Sequence, residues 1–201
     1  MNSQTSETKG LKLPLYPTPQ LIDRARRTMG QIDFDPTSDP VQQTLVQATS
    51  VPKVGENPLT MPWHGNVFVS PKGAVKLSRL WLLKTIKEYR RGNIRNFVFF
   101  TSATELLRAQ PEVWDYSVCI PYRRIRQLQA TPDGWRQVSP SSWNFVLFGP
   151  ESDVGIQQVD RLSRFRDCFR DMGRIILNEY SGDSWSKDLQ YLNEHKGRLP
   201  K

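Results

Sequence analysis

The order of hydrophobic and polar positions along this chain predicts strands and helices that follow one another. Short apolar runs bounded by turn residues indicate strands, and apolar positions that recur every three or four residues indicate helices. The predicted strands are QIDFDP, GNVFVS, IRNFVFFT, DYSVCIP and SWNFVLFGP, which begin at residues 31, 65, 94, 115 and 142. The predicted helices cover residues 19–29, 74–91, 102–109, 155–178 and 184–195.

This order favours an α/β fold. Strands alternate with helices in the first half of the chain and then dominate, which is typical of a mainly parallel sheet with an antiparallel or edge addition. The 201 residues suffice for one domain with a core of its own. We therefore expect a disordered tail at 1–13, one folded domain at 14–150 and a basic helical C-terminal extension at 151–201.

Composition excludes several classes of protein. The mean hydropathy is −0.56, and no apolar run approaches the roughly 20 residues that a membrane helix needs. The N-terminal segment MNSQTSETKG lacks the pattern of a secretion signal. Cys119 and Cys168 lie far apart, and His64 and His195 are isolated, so no metal-ligand spacing is present. We expect a cytoplasmic protein with reduced thiols that binds neither a metal nor a membrane.

The charge balance points to a polyanionic partner. The chain has 28 Lys and Arg residues against 20 Asp and Glu, which gives a net charge of +8. The arginines cluster in RARR at 24–27, YRRGNIR at 89–95, YRRIR at 122–126 and RLSRFRDCFRDMGR at 161–174. A surface that is basic only for solubility remains an alternative, but clustering of one sign favours nucleic acid.

The end of the second predicted strand carries residue types that can hold a ligand. Ser70, Pro71, Lys72 and Gly73 follow directly after the apolar run, and a helix begins just beyond them. Ligands of open α/β sheets bind at the carboxyl ends of the strands. This segment is therefore a candidate site.

The ordered series of motifs resembles the phage-type Dam family of DNA N-6-adenine methyltransferases over roughly residues 14–150. The resemblance lies in the order of the segments more than in any single motif. The segments that carry it are Thr18-Pro19, DFDPTS at 33–38, NPL at 57–59, WHG at 63–65, VFVSP at 67–71, NFVFFTSATELL at 96–107, CIPYRRIRQLQ at 119–129 and SPSSWNFVLFGP at 139–150. It implies a single-domain, Rossmann-like methyltransferase sheet with flanking helices.

The resemblance also implies a reaction and two catalytic positions. The side chain of Ser70 and the backbone carbonyl of Pro71 would accept the hydrogens of the exocyclic amino group of adenine and orient its lone pair toward the methyl group of S-adenosylmethionine. Lys72 replaces the family's second proline and Gly73 its aromatic residue, which normally stacks on a flipped base. We therefore expect weak methyl transfer.

The cofactor side of the resemblance implies three residues. An acidic residue at the end of the first strand would bind S-adenosylmethionine, which points to Asp35, and Thr18 and Pro19 would flank the cofactor. The alternative for Asp35 is a solvated strand end before Pro36, and the alternative for Thr18 and Pro19 is an ordinary helix cap.

Double-stranded DNA is the expected partner, in a bacterial or phage-infected cell and in the setting of a phage, a mobile element or restriction-modification. Arg123, Arg124 and Arg126 follow a strand end, and alternation would place Arg124 and Arg126 on one face for phosphate contacts. Lys72 is a further candidate for nucleic-acid binding. The basic helix predicted at 155–178 is a secondary candidate.

Three hypotheses remain open from the sequence. The first is an adenine-specific DNA methyltransferase. The second is a catalytically lapsed relative that keeps DNA binding or partner binding. The third is an unrelated basic α/β module that binds nucleic acid, for which no shared edge would join Asp35 and Ser70.

Overall fold

The computed structural model describes residues 13–151 and 156–178. Within them the helices are α1 (Pro19–Met29), α2 (Pro40–Val46), α3 (Val75–Arg90), α4 (Leu106–Ala109), a 3₁₀ helix (Pro111–Asp115) and α5 (Ile156–Phe169). The strands are β1 (Gly65–Val69), β2 (Ile94–Thr101), β3 (Ser117–Pro121), β4 (Gln127–Thr131), β5 (Gly134–Val138), β6 (Phe145–Gly149) and β7 (Gly173–Ile176). The disorder expected for the N-terminal tail falls mainly on 1–12, and the helix predicted at 184–195 falls beyond 178. Both segments lie outside the described residues.

A mixed five-stranded sheet forms the centre of the fold, in the order β1-β2-β6-β3-β7. β1 and β2 are parallel, and β6 runs antiparallel to both β2 and β3. β3 therefore points in the same direction as β1 and β2, and β7 adds an antiparallel edge. The expected α/β class is confirmed, but the sheet is mixed and not mainly parallel, because only one of the four pairings among its described strands is parallel.

Helices cover both faces of the sheet because its central strands are apolar on both sides. Along β2, Val98 and Phe100 pack in the cluster that contains the buried residues of α1 and α5. Phe97 and Phe99 pack in the cluster that contains the buried residues of α3. Such a continuous apolar run is typical of a strand buried on both faces.

The prediction of one helix across 155–178 is wrong in its second half. α5 ends at Phe169 and the chain turns into β7. Gly173 allows β7 to pair with β3, because a Cβ atom there would lie 2.2 Å from the carbonyl oxygen of Ile120. The apolar residues of β7 continue the helical spacing of those in α5 by chance, so the sequence pattern does not show that the helix ends at Phe169. Residues of α5 share the core of the sheet, so the described part of the C-terminal extension packs with the domain predicted at 14–150.

The hairpin β4–β5 is absent from the sequence prediction. Its two strands pair antiparallel from Gln127 with Val138 to Thr131 with Gly134. The signal was present, since Pro132-Asp133-Gly134 is a turn sequence with a known mechanism. Most positions of the two flanking strands carry polar side chains, so these strands lack the apolar run that indicates a strand.

Candidate functional site

A hydrogen-bond network joins two strand ends at one edge of the sheet. The strand predicted at 31–36 is reduced to isolated bridges at Phe34, one of them a parallel bridge with Val67 of β1, so Asp35 lies beside Ser70 at the end of β1. Thr37 connects them, because its Oγ1 donates to Oδ1 of Asp35 at 2.7 Å and accepts from the backbone N–H of Ser70 at 3.0 Å. Thr37 thus holds Asp35 next to Ser70, although both residues are buried and neither lines the cleft at this edge.

Asp35 is enclosed by this network and is 0% exposed. Its Oδ1 also accepts from the backbone N–H of Thr37 at 2.9 Å, and its Oδ2 accepts from Nε2 of Gln42 at 2.7 Å. Burial raises the pKa of Asp35 to about 6, although the hydrogen bonds from Gln42 and Thr37 and the charge of Lys72 act in the opposite direction. The carboxylate thus organises its neighbours and does not itself reach a ligand.

Lys72 turns toward the same network. Its Nζ donates to the carbonyl oxygen of Thr37 at 3.1 Å, to Oδ2 of Asp39 at 2.9 Å and to Oε1 of Gln42 at 2.8 Å. It also lies 4.8 Å from the centre of the Tyr16 ring. These contacts match the three N–H donors of an ammonium. The predicted contact of Lys72 with nucleic acid is therefore not made in this arrangement, because the ammonium is directed inward.

The residues that surround the Lys72 ammonium also hold one another in place. We call them the ammonium cage, and they are Tyr16, Thr37, Asp39 and Gln42. Oδ1 of Asp39 caps α2 by accepting from the N–H of Gln42 at 2.7 Å, and its Oδ2 accepts from the Tyr16 hydroxyl at 3.3 Å. Although burial acts in the other direction, the hydrogen bonds from Gln42 and Lys72 hold the pKa of Asp39 below its usual value. Burial, followed by the charge of Asp39, raises the pKa of Tyr16.

A cleft of about 680 Å³ opens beside the cage. Pro71, Lys72 and Gly73 line it after β1, and Thr101 and Ser102 line it at the end of β2. Because β1 and β2 are parallel, this is the carboxyl edge of both strands, where open α/β sheets bind ligands.

Two residues near this cleft, here called the strand-end cleft, differ in position: Ser70 lies just before its lining and Gly73 belongs to it. Ser70 is buried, and the lining begins with the next residue, Pro71. Gly73 has a φ of +100°, a conformation in which a side chain is strained. The backbone conformation therefore favours glycine at 73.

A second cavity, of about 570 Å³, lies against the loop that follows β3. Arg123, Arg124 and Arg126 contribute to it and are exposed. Tyr122 lines the same cavity and is 64% exposed. The structure thus brings together the three arginines predicted to bind nucleic acid and adds an aromatic ring beside them.

The arginine cavity and the strand-end cleft share a wall. Arg124 donates to the carbonyl oxygens of Pro140 at 3.0 Å and Ser141 at 3.2 Å. Pro140 and Ser141 line the strand-end cleft. A ligand in one cavity would therefore lie close to a ligand in the other.

Thr18 and Pro19 are separated from the strand-end cleft. Oγ1 of Thr18 accepts from the N–H of Leu21 at 3.4 Å and caps α1, and the residue lines the arginine cavity. Pro19 is the exposed first residue of α1. Tyr16, two residues before Thr18, is the residue of this segment that belongs to the ammonium cage.

The cage residues were not found from the sequence, although part of the signal was there. Asp39 before Pro40 is an N-cap followed by proline in the first turn, which predicts the start of α2 and places Gln42 in that turn. Thr37 follows Asp35 at the spacing at which an aspartate bonds its own chain two residues on. No local pattern connects these residues with Lys72.

The secondary DNA-binding candidate, α5, carries paired charges. The arginines of α5 and of the residue after it form ion pairs with neighbouring acids: Arg161 with Glu151 at 2.8 Å, Arg164 with Asp160 at 3.4 Å, Arg166 with Asp167 at 3.2 Å and Arg170 with Asp167 at 3.9 Å. The outer face of α5 therefore presents mixed signs.

The ammonium cage matches a cationic cofactor in its chemistry. A carboxylate, two further oxygens and an aromatic face are groups that stabilise positive charge. S-adenosylmethionine carries a primary ammonium and a sulfonium, so the cage fits its ammonium. Lys72 makes the same contacts, and the two cations exclude each other.

Other chemistry has less support in the structure. Burial raises the pKa of the Cys119 thiol to about 12, so it is no nucleophile. Within 13–151 and 156–178 no group of His, Cys, Asp and Glu side chains has the arrangement of a metal site. In the same residues no helix has both the length and the apolar character needed to cross a bilayer.

Compared with known proteins, the chain matches no family model and has no significant match among curated proteins.

Proposed function

We propose that this chain is an adenine-specific DNA methyltransferase of low activity, which uses S-adenosylmethionine and acts on double-stranded DNA in the cytoplasm of a bacterial or phage-infected cell. The observation that carries the proposal is the link from Asp35 through Thr37 to Ser70 at one edge of the sheet. This shared edge also favours a methyltransferase-like sheet over an unrelated basic module.

The parallel strands support a Rossmann-like interpretation of the sheet. β1 and β2 run in parallel, and Phe34 adds a parallel bridge on the outer side of β1. Three neighbouring segments thus end at one edge, beside the 680 Å³ cleft. A ligand at such an edge meets loops from several strands.

Two residues at this edge would handle the adenine. The Pro71 carbonyl and the Ser70 hydroxyl would accept the two hydrogens of the exocyclic amino group and hold its lone pair toward the methyl donor. S-adenosylmethionine, when bound, supplies the methyl group. Because Ser70 is buried and the cleft lining begins at Pro71, contact with its hydroxyl requires both a single flipped base and a local shift that exposes Ser70.

The DNA side of the proposal rests on the arginine cavity. Arg123, Arg124 and Arg126 are exposed and lie together, and the net charge of the chain is +8. Phosphate contacts by arginine bind DNA without regard to sequence and release counterions. The cavity shares a wall with the strand-end cleft, so DNA held there lies next to the proposed acceptor site.

A second candidate is a lapsed methyltransferase relative that binds DNA or a partner without methyl transfer. The observation that favours it is the ammonium of Lys72, which makes three hydrogen bonds where a cationic cofactor would bind. Asp35 has no exposed surface from which to contact a ligand. Both candidates predict DNA binding, and they differ in methyl transfer.

A labelled-methyl assay on mixed-sequence duplex DNA separates the two candidates. We expect slow incorporation into adenine that is lost in Ser70→Ala. Ser142→Ala is the control, because Ser142 is an exposed serine in the lining of the cleft that begins next to Ser70, and it should retain incorporation. Incorporation that survives Ser70→Ala would contradict the role of Ser70. No incorporation, together with DNA binding that weakens with salt, would establish the second candidate.

A further inference from the structure

Lys72 is enclosed by the ammonium cage as a small cationic ligand would be. Its Nζ has three oxygen acceptors at 2.8 to 3.1 Å and one aromatic face at 4.8 Å. A primary ammonium has three N–H donors, so the set is complete for one such group. The lysine side chain is 17% exposed, which leaves its stem at the border of the strand-end cleft.

The acceptors of the cage are positioned by contacts other than those to Lys72. Asp39 is held by its cap on α2, and the Tyr16 hydroxyl donates to it. Nε2 of Gln42 donates to Asp35, which directs Oε1 toward the cage. Backbone hydrogen bonds join Tyr16 to Leu128 of the β4–β5 hairpin in both directions. Because these contacts are independent of the lysine, the cage should persist when the lysine leaves.

We propose that the ammonium cage is a binding site for the primary ammonium group of a small molecule, and that Lys72 is a tethered competitor for it. The site deepens the proposed function and rests on it in one respect, since the amino-acid part of S-adenosylmethionine carries such an ammonium. Lys72 would then set how tightly the cofactor binds.

The position of Lys72 in the chain suits a competitor that leaves and returns. It lies directly before Gly73, which is exposed and has a positive φ, and where a Cβ atom would make only an ordinary contact with Leu77 at 3.8 Å. The stem of Lys72 lines the cleft, so the ammonium can swing toward solvent without crossing the core. A tethered group competes at a high effective concentration, which only a ligand with further contacts overcomes.

Chemical rescue tests the cage without any requirement for catalysis. Lys72→Ala removes three carbons and the ammonium, a fragment that n-propylammonium replaces. Thermal unfolding of Lys72→Ala should shift to higher temperature as n-propylammonium is added, because a ligand that binds only the folded state stabilises it. Tetramethylammonium, which has no N–H to donate, should give no comparable shift.

Lys76→Ala is the matched control, since Lys76 is an exposed lysine on the neighbouring turn of α3. Neither this variant nor the unmodified chain should respond to n-propylammonium. An equal response in Lys76→Ala, or no response in Lys72→Ala, would overturn the proposal. If Lys72→Ala does not fold, lysine-selective NMR of the unmodified chain decides: the Lys72 ammonium, assigned with Lys72→Arg, must show slowly exchanging protons, and rapid exchange refutes the cage.

Calorimetry with S-adenosylmethionine connects the cage to the proposed function. Lys72→Ala should bind it at least about tenfold more tightly than the unmodified chain, because about tenfold is the effect of a single charge-assisted hydrogen bond and Lys72 makes three. Equal affinity in the two proteins would refute the competitor role and leave the methyltransferase proposal standing. Rescue by n-propylammonium without any S-adenosylmethionine binding would leave the cage standing and refute the proposed function.

Discussion

The ammonium of Lys72 and the carboxylate of Asp39 pair at 2.9 Å although 33 residues separate them in the sequence. Lys84 also pairs with a carboxylate and lies near an aromatic ring, so the two lysines can be compared. Lys84 pairs with Glu88 at 2.6 Å and lies 5.6 Å from the Trp63 ring, but this pair is formed within α3 at i and i+4. Lys72 instead borders the strand-end cleft, so its pairing bears on ligand binding and not only on stability.

Thr37→Val should destabilise the chain, because it removes the hydroxyl that links Asp35 with Ser70. The change keeps the volume but leaves the buried N–H of Ser70 without its acceptor, which costs about 1–3 kcal/mol. Denaturant unfolding measures this loss. Thr44→Val is the matched control, since Thr44 is exposed, and its unfolding free energy should change far less. Equal losses in the two variants would show that the link is unimportant.

Stability should depend on pH through Asp35. Its pKa is about 6 in the folded chain, against an ordinary value of 3.8. The folded state therefore binds the proton more tightly, and the contribution of Asp35 to stability is fully present below about pH 4 and is lost as the pH rises to about 6. The slope reaches at most about 1.4 kcal/mol per pH unit.

The pH dependence is measured as the difference between the unmodified chain and Asp35→Asn across pH 4 to 7. The unfolding free energy of the unmodified chain should fall relative to the variant as the pH rises. A carboxyl carbon resonance of Asp35 that titrates near 6 would confirm the cause. Parallel pH profiles in the two proteins would contradict it.

Replacing Arg123, Arg124 and Arg126 with alanine should weaken DNA binding equally for all sequences. Each lost phosphate contact lowers the salt slope by about 0.9. The matched control replaces Arg164 and Arg166 of α5 and Arg170 just after it with alanine, because the loss of charge is the same and these side chains are paired with acids. Binding isotherms at several salt concentrations measure both. Equal losses would show that total charge alone binds DNA.

Tyr122→Ala should weaken binding to single-stranded DNA more than binding to duplex DNA, because only unpaired bases can stack on its ring. The exposed ring lies in the arginine cavity, and stacking on one base is worth about 1–3 kcal/mol, or about 5- to 150-fold in affinity. Trp143→Ala is the control, since Trp143 is 50% exposed and does not line this cavity. If affinity for paired and unpaired DNA falls alike, Tyr122 does not stack on the base.

The sequence alone predicts four of the five strands of the central sheet. The apolar runs at β1, β2, β3 and β6 appear at their predicted places, because burial on both faces selects continuous apolar residues over the length of a strand. Such runs are short-range patterns that a linear chain displays, whereas β7 and the residues at 31–36 differ from their predicted structure.

The contacts of the polar side chains at the end of β1 depend on the tertiary structure and cannot be predicted from the sequence pattern. Lys72 turns inward because the bridge between Phe34 and Val67 brings the carbonyl of Thr37 and the carboxylate of Asp39 within its reach. A change of register in that pairing would move every one of these contacts. Such contacts depend on which strand lies beside which, and no pattern confined to a few neighbouring residues contains that information.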